Sequence, residues 1–124
     1  MDAFSVLLVD DEEEFASTLA ERLSLRGIQA STASNGAMAL SLIEADPPQV
    51  VLLDVMMPGM GGIEVLERIR ATHPGLQVIL LTGHGCTRDG TEGLRLGAFD
   101  CLMKPLNIDE LIERVGSAIR AAGV

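Results

Sequence analysis

Five polar residues stand directly after short apolar runs in this chain. Asp10 and Asp11 follow SVLLV, Asp54 follows QVVLL, Thr82 follows LQVILL and Lys104 follows FDCLM. Three aspartates gathered in one place repel one another unless a cation neutralises them or one stays protonated. Their hard oxygens suit Mg²⁺, which favours one or two carboxylates, a carbonyl, retained waters and substrate phosphate. A lysine aimed at the same place would pair with Asp54 and later with a phosphoryl oxygen as a point charge. Each residue also has a plainer explanation. Acidic side chains near a helix start favour the macrodipole, as Glu12, Glu13 and Glu14 would. Lysine is usually solvated, and threonine is simply a good strand residue. Convergence of the aspartates on one rim is what shifts the weight to a cation site. The bond before Pro105 is a candidate for the cis form, which occurs in tight turns.

The elements that must position these residues follow from hydrophobic periodicity. Ser5–Val9 is a continuous apolar run, as in a strand covered on both faces. Residues 13–26 carry Phe15, Leu19 and Leu23 at helical spacing and stop at Gly27. Residues 28–32 read as a second strand. Ser34 or Asn35 then caps a helix carrying Ala39, Leu40 and Ile43, ended by Pro47 and Pro48. Strands follow at 49–53, 76–81 and 99–103, with a helix carrying Ile63, Leu66 and Ile69 after the first of them. Residues 87–96 make a poor helix, since Gly90 and Gly93 each cost about 1 kcal/mol relative to Ala; it should be short and mobile. Ile108–Ala122 is the clearest helix, with Ile108, Leu111, Ile112, Val115 and Ile119 on one face.

Five strand-then-helix units predict an α/β fold, a parallel sheet with helices on both faces. In the flavodoxin-like order 2-1-3-4-5, sites lie beyond the carboxyl ends of the strands, where Asp10, Asp11, Asp54, Thr82 and Lys104 fall. The 124 residues suffice for one domain, residues 1–124. Nine basic against 18 acidic residues give a net charge of −9, which argues against direct nucleic-acid binding by this domain. No apolar run suggests a membrane span, and the N-terminus lacks a basic signal-peptide head. Cys86 and Cys101 match no metal-ligand spacing and no disulfide framework, so a reducing, cytoplasmic setting is expected.

Four segments together carry a specific pattern: LLVDDE at 7–12, VVLLDVMMPGMGG at 50–62, VILLTGHG at 78–85 and LGAFDCLMKP at 96–105. Over residues 5–121 the chain resembles the receiver domain of two-component response regulators. The resemblance implies that Asp54 accepts a phosphoryl group and that Asp11 ligates Mg²⁺ directly, with Asp10 acting through water. The Met56 backbone carbonyl would complete the metal site, while Thr82 and Lys104 would bind the phosphoryl group. Such a domain catalyses its own phosphorylation and dephosphorylation and is not otherwise an enzyme. Its donor is a sensor histidine kinase or phosphotransfer protein, and its signal goes to a downstream effector domain or protein, in some cases through a phosphorylation-dependent dimer. Docking would be beside Asp54 against the first helix. Phe15, Ala16 and Leu19 are candidates for that face, with Phe15 and Leu19 weighted toward the core.

Two positions depart from the family pattern. Cys101 stands where an aromatic residue usually works as a switch with the threonine, and Gly61 replaces the usual Asp or Asn, which should loosen its loop. With only a small thiol at 101, the signal is expected to leave through residues 84–96. Met56 and His84 occupy the positions that tune hydrolysis in receivers, and Met56, unable to orient a water, suggests a long-lived phosphoryl group. A haloacid-dehalogenase-like phosphatase would need a second aspartate two residues after the nucleophile, where Met56 stands and cannot transfer protons. A flavodoxin-like flavin site would need a phosphate loop after the first strand, where Asp-Asp-Glu-Glu-Glu would repel phosphate.

Overall fold

The computed structural model describes residues 4–83 and 88–122. Five strands, β1 (Ser5–Val9), β2 (Gln29–Ala33), β3 (Val50–Asp54), β4 (Gln77–Thr82) and β5 (Asp100–Met103), form one parallel sheet in the order β2-β1-β3-β4-β5. The helices are α1 (Glu13–Ser24), α2 (Gly36–Ala45), α3 (Gly62–Thr72), α4 (Arg88–Arg95) and α5 (Ile108–Ala122). This is the α/β order expected from the sequence.

The core is split by the sheet because strand side chains alternate between faces. Along β3, Val51 and Leu53 join Ile43, Val65, Leu66 and Ile69 from α2 and α3. Val50 and Leu52 join Leu19 and Leu23 of α1 and Leu111 and Val115 of α5 on the other face. All five β3 residues are buried, which is why the run reads as continuously apolar.

Strands β3 and β4 each run one residue past their expected ends. Asp54 is the last residue of β3, in register with Leu81, and Thr82 closes β4 opposite Met103. Both polar residues are therefore fixed by sheet pairing rather than carried on loops. Helix α1 ends two residues early, at Ser24, and Gly27 turns the chain with φ +82°. Asn35 caps α2 by accepting from the Met38 amide at 2.8 Å, and Asn107 receives the Glu110 amide at 2.9 Å at the start of α5.

Helix α4 is eight residues long, as its glycines imply. Gly93 has a packing reason as well: a Cβ there would collide with Leu80 Cδ1 of β4. The residue that weakens the helix is the one that lets it lie against the sheet. Cys101 corrects an expectation. It is buried and disulfide-bonded rather than a free thiol.

Candidate functional site

The carboxyl ends of β1, β3 and β5 bring the acidic residues and the lysine together. One carboxylate oxygen each from Asp10, Asp11 and Asp54 lies within 4.8 Å of the others. Asp10 and Asp54 are buried and Asp11 is exposed, so the cluster opens to solvent on one side. Parallel pairing of β1 with β3 makes this inevitable, since Val9 and Leu53 are register partners and each is followed by an aspartate.

Each buried carboxylate is held by the backbone of the loop it starts. Asp10 Oδ1 accepts from the Glu12 amide at 2.9 Å, and Asp54 Oδ1 accepts from the Met56 amide at 3.2 Å. Gly62 closes the turn after β3. Its amide donates to the Val55 carbonyl at 3.1 Å, and a Cβ there would strike the Asp54 carbonyl. A glycine is needed at 62 so that α3 can start directly behind β3. Gly61 is different: its backbone is extended and its Cβ position is almost open, with the Val55 carbonyl 4.0 Å away. It occupies the N-cap of α3 and supplies no side-chain cap.

Lys104 enters from the end of β5. Its amide donates to the Thr82 carbonyl at 2.8 Å, fastening the ends of β4 and β5, and the bond to Pro105 is cis as expected. The Lys104 Nζ lies 2.8 Å from Asp10 Oδ2, 3.4 Å from Glu12 Oε1 and 3.8 Å from Asp54 Oδ2. The sequence pointed to Asp54 as its partner, but Asp10 is nearer. Thr82, 4% exposed, ends β4 beside Asp54 in the sheet order.

These placements set the charges. Burial, reinforced by the negative charge of Asp10, pushes the Asp54 carboxyl up to about 6 despite the opposing pull of Lys104 and the Met56 amide. Burial disfavours the Lys104 ammonium, yet the Asp10 hydrogen bond and the charges of Asp54, Asp10 and Glu12 outweigh it and raise its pKa overall. One ammonium does not neutralise the cluster. The donor set is hard oxygen throughout and short of positive charge, which fits a divalent cation such as Mg²⁺.

Some contacts were not legible in the sequence. Glu12, read as a macrodipole residue, extends its carboxylate to Lys104, and the Phe15 ring lies beneath the same ammonium, 4.4 Å from centroid to Nζ. Ala16 and Leu19 are buried, in line with the weighting of Leu19 toward the core, although Leu19 also borders the groove described next; Phe15 is half-buried. Phe15 lines a groove of about 690 Å³ with Glu13, Arg22, Pro105 and Leu106. Met56 is exposed on the loop after Asp54, while His84, the other residue expected to tune hydrolysis, lies outside the described residues. So does the first part of the expected signalling segment, 84–87.

Comparison with known proteins places this geometry in context. A family model described as response regulator receiver domain matches residues 6–116. The chain is 38% identical over 120 residues to the probable transcriptional regulatory protein TcrX of Mycobacterium tuberculosis, covering 97% of this chain and 51% of that protein. It is 44% identical over 115 residues to the transcriptional regulatory protein CpxR of Escherichia coli K12, covering 93% and 49%. The chain thus spans about half the length of these curated relatives. Among solved structures, the receiver domain of NtrX from Brucella abortus superposes with a TM-score of 0.88 at 33% identity, covering 93% of this chain and 98% of that one. A CheY-like receiver domain from Methanospirillum hungatei gives 0.92 at 26% identity, covering 98% of each.

Proposed function

The chain belongs to the response regulator receiver domain family, and on that footing we propose that Asp54 is its phosphoacceptor. The observation that carries this reading is the position of the Asp54 carboxylate. It is buried at the end of the central strand, beside two further aspartates and the chain's only lysine. With its carboxyl at about 6, Asp54 is mostly ionised at neutral pH and able to act as a nucleophile.

In the proposed step, an Asp54 oxygen forms a bond to the phosphorus of a phosphohistidine. The phosphorus–nitrogen bond breaks, its electron pair stays on the imidazole, and that ring takes up a proton. Lys104 and the Thr82 hydroxyl supply positive charge and a hydrogen bond to the transferred oxygens. Asp10, Asp11, Asp54 and the Met56 carbonyl would hold Mg²⁺, which when bound offsets the charge of the phosphoryl group. The domain acts in this reading only on its own phosphoryl group, with no other substrate turned over.

The donor would be a sensor histidine kinase or phosphotransfer protein, seated over the groove that Phe15 shares with Pro105 and Leu106. Regulators such as CpxR extend well beyond the matched region, which supports an effector, linked or separate, as the recipient of the signal; a phosphorylation-dependent dimer is one form it could take. No helix among the described residues is long and apolar enough to cross a membrane. The reading is tested by incubating the protein with acetyl phosphate and Mg²⁺ and measuring intact mass. A gain of one phosphoryl group, lost with EDTA and lost in Asp54→Asn, is expected. Unchanged labelling of the Asn variant would move the acceptor elsewhere.

A further inference from the structure

Lys104 has a neighbour that the acidic cluster does not explain. Its ammonium sits 4.4 Å from the centroid of the Phe15 ring, well inside the distance at which an aromatic face attracts a cation. The chain has three phenylalanines, no tyrosine and no tryptophan, and one of these few rings is set against its only lysine. The lysine side chain is 14% exposed, so the contact is shielded from water, where such an attraction is strongest.

The ring differs in kind from the other partners of the ammonium. Asp10, Glu12 and Asp54 are all carboxylates. Asp10 and Asp54 also belong to the cluster that fits a divalent cation, so a cation there would compete for their charge and repel the ammonium. Phe15 is uncharged and offers a metal nothing. Its hold on Lys104 persists when the hold of the carboxylates weakens.

We propose that Phe15 is a positioning residue for Lys104, its ring face keeping the ammonium at the rim while the carboxylates engage a cation and the phosphoryl group arrives. The proposal rests on the reading of Asp54 as phosphoacceptor. It gives Phe15 a role in transfer from small-molecule donors, with no partner protein to dock. Helix α1 therefore reaches the chemistry through a ring, while the carboxylate that pairs with Lys104 from this side, Glu12, is its N-cap.

Two measurements test it. Ring-current shifts of the Lys104 ε-methylene protons report the contact by NMR. They should be upfield in the metal-free protein and remain so with Mg²⁺; loss of the shift on adding Mg²⁺ would show the ammonium leaving the ring and overturn the proposal. Rates of labelling by acetyl phosphate supply the second test. Phe15→Leu keeps an apolar side chain without the aromatic face and should slow labelling about fivefold. Phe15→Trp should restore it, whereas a packing role would make the larger tryptophan the worse substitute. Equal loss in both variants, or none in Phe15→Leu, would overturn the proposal. Failure of the wild-type protein to label at all would instead remove the phosphoacceptor reading, and the NMR shift would still report the contact.

Discussion

Lys104 is 2.8 Å from Asp10 and 3.8 Å from Asp54, so its charge is committed first to Asp10 and not to the proposed acceptor. This unequal sharing leaves Asp54 with more burial than compensation, and its carboxyl stands at about 6 instead of 3.8. The consequences are measurable.

Removing the Asp54 charge should stabilise the metal-free protein at neutral pH. Because the folded pKa lies above the unfolded one, the folded state binds more protons between about 4 and 6, and stability falls as pH rises through that window. Asp54→Asn lacks this loss. Its advantage over wild type should be on the order of 3 kcal/mol at pH 7.5 and shrink toward zero near pH 4. Urea melts of both proteins in EDTA across that range decide it, and a gap independent of pH would contradict the assignment.

Lys104→Ala should still be labelled by acetyl phosphate, though at least as slowly as Phe15→Leu, and should respond less to the phosphoryl group. Among the described residues the lysine is the cation placed to carry a change at Asp54 to the end of β5, through the hydrogen bond its amide donates to the Thr82 carbonyl. Hydrogen exchange with and without beryllofluoride is the measurement. An undiminished response in the variant would show that the signal leaves by another route.

Gly61→Asn should stabilise the fold by roughly 0.5–1 kcal/mol. Gly61 is the N-cap of α3, has an extended backbone any residue can adopt, and has room for a side chain. Thermal melts in EDTA separate this gain from any effect on metal binding.

Gly93→Ala should do the opposite of what helix propensity suggests. A new methyl would meet Leu80 Cδ1, so the change is expected to cost about 1–3 kcal/mol rather than add stability. Pairing it with Leu80→Ala, which vacates the space, should recover part of the cost of Gly93→Ala as a coupling energy in a double-mutant cycle.

The sheet order and the acidic cluster were legible because parallel strands read as continuous apolar runs, and Asp10, Asp54 and Lys104 terminate three of them. Contacts across elements were not. Lys104 reaches Asp10, Glu12 and Phe15 over some 90 residues of sequence, and no local pattern encodes which carboxylate it prefers. Gly93 read as a helix penalty because its purpose depends on the distance from α4 to Leu80, a tertiary quantity. Cys101 was read as a small thiol because nothing in its local sequence marks it as disulfide-bonded.

The central claim is that Asp54 carries the phosphoryl group. Borohydride reduces an aspartyl phosphate to homoserine and leaves free aspartate intact, so the modified residue can be read directly. After treatment with acetyl phosphate and Mg²⁺, reduction and peptide sequencing, the account requires homoserine at position 54 and aspartate at 10 and 11. Homoserine at Asp10 or Asp11, with position 54 unchanged, would contradict it.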